Sequence, residues 1–126
     1  MNIVDSSAWL EYFTDGPNAT FFAQPIKDAQ NLVTPTICMY EVFKRVLALC
    51  GEERALETAG SMCLGEVADL TRQIAIDAAF LSTDLKLAMA DSIILATAHA
   101  YAATLWTQDA HFKDIEGVRY IVKVAY

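Results

Sequence analysis

Four acids fall where the apolar runs of a core would otherwise continue. Asp5 ends the run Met1-Asn2-Ile3-Val4, and Glu41 follows Ile37-Cys38-Met39-Tyr40. Asp91 follows Leu87-Ala88-Met89-Ala90, and Asp109 comes just after Thr104-Leu105-Trp106-Thr107. A carboxylate at the margin of a core is costly unless it is hydrogen-bonded, paired or placed on a metal. Four of them along a short chain point to a shared site.

The runs also set the fold. Residues 2–4, Leu32–Thr34, Val67–Leu70, Leu105–Thr107 and Val118–Val124 read as strands, the last alternating as an edge strand does. Between them lie helix-type segments. Ala8–Phe13 follows the N-cap types Asp5, Ser6 and Ser7. Residues 18–29 read as helical and perturbed at Pro25, and Thr36 is placed to cap a helix running to about Leu49. Beyond Gly51, Glu52–Cys63 packs back as a hairpin; Thr71 caps a helix to about Leu81, and Met89–Tyr101 follows. Asp109–Lys113 reads as a turn.

Strands alternating with helices predict an α/β fold with three layers, α/β/α, around a mostly parallel sheet of four to five strands. Ligands in such folds bind outside the carboxyl ends of the strands, at the topological switch point. Asp5 and Asp109 follow strands and Glu41 and Asp91 occupy early helical turns, so all four can meet at that edge.

The 126 residues suit a single domain over residues 1–126, and 55% hydrophobic content supplies a core. A net charge of −7 argues against a broad basic surface for nucleic acid. It leaves nucleic acid open if the acids gather divalent ions, which reverse the local charge. Cys38, Cys50 and Cys63 are odd in number, lack CxxC spacing and lie in apolar stretches. They are expected as reduced, buried thiols, in keeping with a cytoplasmic protein. No secretory leader is evident at the N-terminus. The apolar stretch Leu87–Trp106 carries Asp91, Ser92 and His99 and reads as a buried helix and a strand rather than a membrane span.

Each acid has an ordinary alternative. Asp5 suits an N-cap, Glu41 can pair with Arg45 one turn on, Asp91 suits a helix start, and Asp109 suits a turn. Glu52, Glu53 and Glu57 read as solvated surface, and Asp69, Asp77 and Asp84 as surface or caps. Convergent carboxylates bind Mg²⁺ or Mn²⁺, hard cations that can activate a water and stabilise the leaving oxygen of a phosphodiester. There is no GxGxxG or GxxxxGK[ST].

Four segments carry a family resemblance: Ile3-Val4-Asp5-Ser6-Ser7-Ala8-Trp9-Leu10; Glu41 in a helix after Thr34-Pro35-Thr36; Ala90-Asp91-Ser92-Ile93-Ile94-Leu95-Ala96-Thr97-Ala98; and Thr107-Gln108-Asp109-Ala110-His111-Phe112. Together they resemble the PIN domain, and within it the VapC-type toxins of toxin–antitoxin pairs. The resemblance implies a Mg²⁺-dependent endoribonuclease, with Mn²⁺ able to substitute, that hydrolyses RNA phosphodiester bonds with a metal-activated water. It implies Asp5, Glu41, Asp91 and Asp109 as the acidic metal-binding and catalytic quartet, with Asp109 the softest match. Ser6 and Thr107 match hydroxyl residues that hold those carboxylates. The implied partners are RNA, a cognate antitoxin and a second copy of the chain, with no membrane.

Trp9, Tyr12, Phe13, Phe21 and Phe22 crowd the first two helices. They read either as core or as a groove receiving an amphipathic helix. Lys44, Arg45 and Lys86 are candidates for flanking phosphates. Two other functions compete: a PIN-like binding module that no longer cuts, and a receiver-type signalling domain with Asp69 and Lys123 as poorly spaced stand-ins.

Overall fold

A computed structural model describes residues 1–125. Its five strands are β1 (Asn2–Val4), β2 (Leu32–Pro35), β3 (Glu66–Ala68), β4 (Thr104–Thr107) and β5 (Val118–Tyr120). Its six α-helices are α1 (Ser6–Phe13), α2 (Ala19–Ile26), α3 (Thr36–Cys50), α4 (Glu52–Met62), α5 (Arg72–Leu85) and α6 (Met89–Ala100). Short 3-10 turns at Ala29–Asn31 and Ala110–Phe112 complete the chain.

The sheet has the order β3-β2-β1-β4-β5, and every pairing is parallel. Successive residues of a strand point to opposite faces. Ile3 and Val4, Leu32 and Val33, and Leu105 and Trp106 are all buried, so helices cover both faces. This is the three-layer α/β arrangement expected from the alternation of runs. The chain moves outward from β1 through β2 to β3, then returns to the other side of β1 as β4. The switch point therefore lies between the carboxyl ends of β1 and β4.

Several boundaries differ from the sequence reading. The β5 strand stops at Tyr120, because its partner β4 ends at the Thr107↔Tyr120 pair. Pro35 is the residue before the first turn of α3, and Thr36 is its first residue and makes no capping bond. A proline there presets a backbone that needs no donor. Residues 18–29 divide into α2 and a 3-10 turn, with Pro25 inside α2. Thr71 caps α5 as expected, its hydroxyl accepting from the Ile74 amide at 3.2 Å.

Much of the aromatic crowd of α1 and α2 belongs to the core or packs against it. Trp9 and Phe22 are fully buried, and Phe13 stacks on Trp9 at 5.5 Å. Phe21 packs on Trp106 at 5.0 Å, with the Arg119 guanidinium over that indole. Tyr12, Phe13 and Phe21 keep part of their surface exposed. Cys38 is buried, but Cys50 and Cys63 are exposed, against the expectation of three buried thiols. Each closes a helix of the α3–α4 hairpin, where the apolar stripe runs out into solvent. Among the described residues, no helix is long and apolar enough to cross a membrane.

Candidate active site

Asp5 ends β1 and is almost fully buried, at 3% exposure. One oxygen caps α1, accepting from the Ala8 amide at 2.9 Å and the Ser7 hydroxyl at 3.0 Å. The other accepts from the Thr107 hydroxyl at the end of β4, at 2.6 Å. The capping role and a place in the site are thus compatible. Burial outweighs these three donors and lifts the Asp5 carboxyl to about 6, with Asp109 adding like-charge repulsion.

Thr107 links the two strands. Its hydroxyl gives its proton to Asp5 and accepts from the Asp109 amide at 2.9 Å. Asp109 in turn accepts from the His111 amide at 2.9 Å, closing the 3-10 turn. The turn aims the His111 ring back at the acids. Its Nδ1 lies 3.2 Å from an Asp91 oxygen and 3.3 Å from an Asp109 oxygen. Asp91, in the first turn of α6, is half-buried, and its carboxyl is raised by burial and by Asp109.

Glu41 approaches from α3. Its carboxylate accepts from the Ser6 hydroxyl at 2.7 Å. Among the described residues it makes no ion pair with Arg45, the alternative that helical spacing offered. The Cys38 thiol lies under the cluster. Burial raises its pKa, the Ser6 hydroxyl opposes that, and Asp5, Glu41 and Asp91 each add to the rise.

The structure therefore gathers all four predicted acids at the carboxyl edge of the sheet, though unequally. Asp91, Asp109 and His111 present ligand atoms within 4.8 Å of one another. Asp5 joins them through Thr107, and Glu41 stands within electrostatic reach of Asp91. Ser6 and Thr107 each hold one carboxylate, as the resemblance implied. Asp69 lies exposed just past β3, the edge strand, and so is not the acid at the end of a central strand that a receiver-type phospho-acceptor requires.

Four residues in and behind the site were given no role there from sequence. His111 stood in the quoted segment two places after Asp109, a spacing that a tight turn converts into proximity. Ser7 was read only as an N-cap type, and Gln108 carried no signal of its own. Nor did the buried Glu11, whose carboxylate accepts from the Asn18 amide at 2.9 Å.

The donor set suits a hard divalent cation. Among the described residues, no lysine or arginine lies within ion-pair distance of the four acids, and His111 is the one basic side chain that reaches them at that distance. The cluster is oxygen-rich, negatively charged and partly desolvated, as a site for such a cation must be.

A family model for the PIN domain matches residues 3–118. The chain belongs to the PIN-domain family. Its fold is shared by solved toxin–antitoxin proteins. A toxin–antitoxin complex from Klebsiella pneumoniae aligns with a TM-score of 0.80 at 23% identity, covering 94% of this chain and 96% of that one. Mycobacterium tuberculosis VapC20, described as a sarcin–ricin loop cleaving toxin, aligns at 0.75 and 13% identity over 92% and 95%. VapBC2 from Rickettsia felis, bound to a promoter DNA fragment, aligns at 0.74 and 16% over 96% and 97%. No curated protein sequence matches significantly.

Proposed function

We propose that this protein is a metal-dependent endoribonuclease and the toxin of a type II toxin–antitoxin pair. The observation that carries the reading is the gathering of Asp5, Glu41, Asp91 and Asp109 without a lysine or arginine partner among the described residues. Membership of the PIN family and the shared fold of toxin–antitoxin proteins support it.

The four carboxylates would hold Mg²⁺, with Mn²⁺ able to replace it. When bound, the cation supplies electrophilic stabilisation of phosphate charge and acidifies a water. The chain's own residues do the positioning. Thr107 fixes Asp5 and, through the Asp109 amide, the turn that carries Asp109. Ser6 fixes Glu41 from the start of α1. Burial of Asp5 keeps water off one side of the cluster, so charge there acts through a low dielectric. Hydrolysis adds water across one P–O bond of the RNA. Lys44 and Arg45 line a recess with Glu41 and are placed for phosphates flanking the cut.

Two apolar surfaces support the protein partners. A recess of about 430 Å³ between α3 and α4, lined by Met39, Tyr40, Phe43, Leu47 and Ala59, suits the apolar face of an antitoxin helix. Ile76, Phe80 and Met89 stand exposed on α5 and α6 and suit a homodimer contact. The test is cleavage of RNA by purified protein with Mg²⁺. Cutting that EDTA stops supports the reading, and intact RNA under all divalent-metal conditions contradicts it.

A further inference from the structure

A polar chain runs inward from the α1–α2 loop and ends beside the acids. Gln108, between Thr107 and Asp109, is 5% exposed. The Asn18 side-chain nitrogen donates to the Gln108 oxygen at 2.9 Å and to the Val122 carbonyl at 3.0 Å. A backbone carbonyl can only accept, so the Asn18 nitrogen must face Val122. The same nitrogen then fixes the Gln108 oxygen toward Asn18, and the Gln108 NH₂ group faces the other way. Glu11 holds the Asn18 backbone in place, and Gly16 leaves room for the Glu11 carboxylate, since a Cβ there would lie 2.2 Å from its oxygen.

That NH₂ group has no hydrogen-bond partner among the described residues, and it is not a buried unsatisfied atom. Gln108 lines a cavity of about 460 Å³ together with Ser7, Asp109, Tyr120 and Lys123. The cavity therefore begins at the acid cluster and offers a fixed pair of N–H donors, an aromatic wall and an ammonium group.

We propose that this cavity is a base-reading subsite, in which the Gln108 NH₂ group donates to an acceptor on the base of the nucleotide flanking the cut. This rests on the ribonuclease reading above. Tyr120 supplies a stacking surface, Lys123 meets a neighbouring phosphate, and Asn18 is the positioning residue that fixes which edge of Gln108 is shown. A donor held in place discriminates, because a base that presents its own donor at that point leaves it unpaired.

Two measurements test this. Cut sites in a randomised RNA pool are mapped for wild type, Gln108→Glu and the volume-matched Gln108→Met. The Glu variant keeps an acceptor for Asn18 but presents an acceptor to the cavity. It is expected to change base preference at one flanking position by about fivefold or more, and the Met variant to flatten that preference. If wild type cuts and all folded variants share its profile, the subsite is wrong while the nuclease reading stands. In the second, the Gln108 side-chain amide signal is followed by NMR in Asp91→Asn protein titrated with a short RNA. A shift in that signal supports the subsite. RNA-induced shifts elsewhere with Gln108 unmoved overturn it, and it falls together with the parent reading if wild type cuts no RNA and no signal moves.

Discussion

Asp5 shows how one residue can serve the fold and oppose it. Its carboxylate caps α1 and ties β1 to β4, yet burial lifts its pKa to about 6 from 3.8. The metal-free folded state thus binds a proton that the unfolded chain releases between about pH 4 and pH 6. Stability must fall as pH rises through that window, by up to about 3 kcal/mol from this residue. Chemical denaturation of metal-free protein from pH 4 to 7 should show that slope, and Asp5→Asn should reduce it, leaving the smaller part that the raised Asp91 carboxyl contributes. Thr107→Val removes the shortest hydrogen bond to Asp5 and an acceptor for the Asp109 amide. It should cost about 1–3 kcal/mol at pH 8 and lower RNA cleavage about tenfold or more. Asp5 and Asp91 were legible because an acid interrupting an apolar run has few inexpensive environments. His111 and Gln108 were not, since a polar residue in a turn has many, and only the 3-10 geometry after β4 brings the exposed His111 ring beside Asp91 and Asp109.

At the scale of elements, the strands are short, and each is bounded by something its sequence shows only in part. The expected run Val118–Val124 ends early because β4 supplies no partner past Thr107, and Asn18 takes over by binding the Val122 carbonyl. Such a limit depends on the neighbour, so no pattern within the run itself could reveal it. The turn into β3 is set by space. A Cβ on Gly65 would lie 2.5 Å from the Leu32 carbonyl oxygen, a contact with backbone that cannot swing aside. Gly65→Ala should therefore destabilise the protein by about 1–3 kcal/mol in urea denaturation, through separation of β2 and β3. It should leave the acid cluster, which lies nearer β1 and β4, able to bind metal in the folded fraction.

For the whole molecule, the order β3-β2-β1-β4-β5 brings acids from four separate segments to one edge. The alternation of apolar runs and amphipathic segments sufficed to anticipate the parallel sheet, since parallel strands need crossovers and crossovers need helices. The partner surfaces were less legible. Of the aromatics of α1 and α2, Trp9 and Phe22 are buried, whereas exposed Tyr40, Phe80 and Met89 lie in segments whose apolar residues could equally have been core. Negative charge concentrated without lysine or arginine partners predicts that Mg²⁺ or Mn²⁺ raises the melting temperature by several degrees or more, with the gain lost in Asp91→Asn. The central claim is that the cluster cuts RNA. Timed cleavage of RNA by wild type and Asp91→Asn, each with Mg²⁺ and each shown folded by circular dichroism, tests it most directly. The account predicts cutting by wild type and a loss of about 100-fold or more in the variant. A folded Asp91→Asn protein that cuts at the wild-type rate would contradict it.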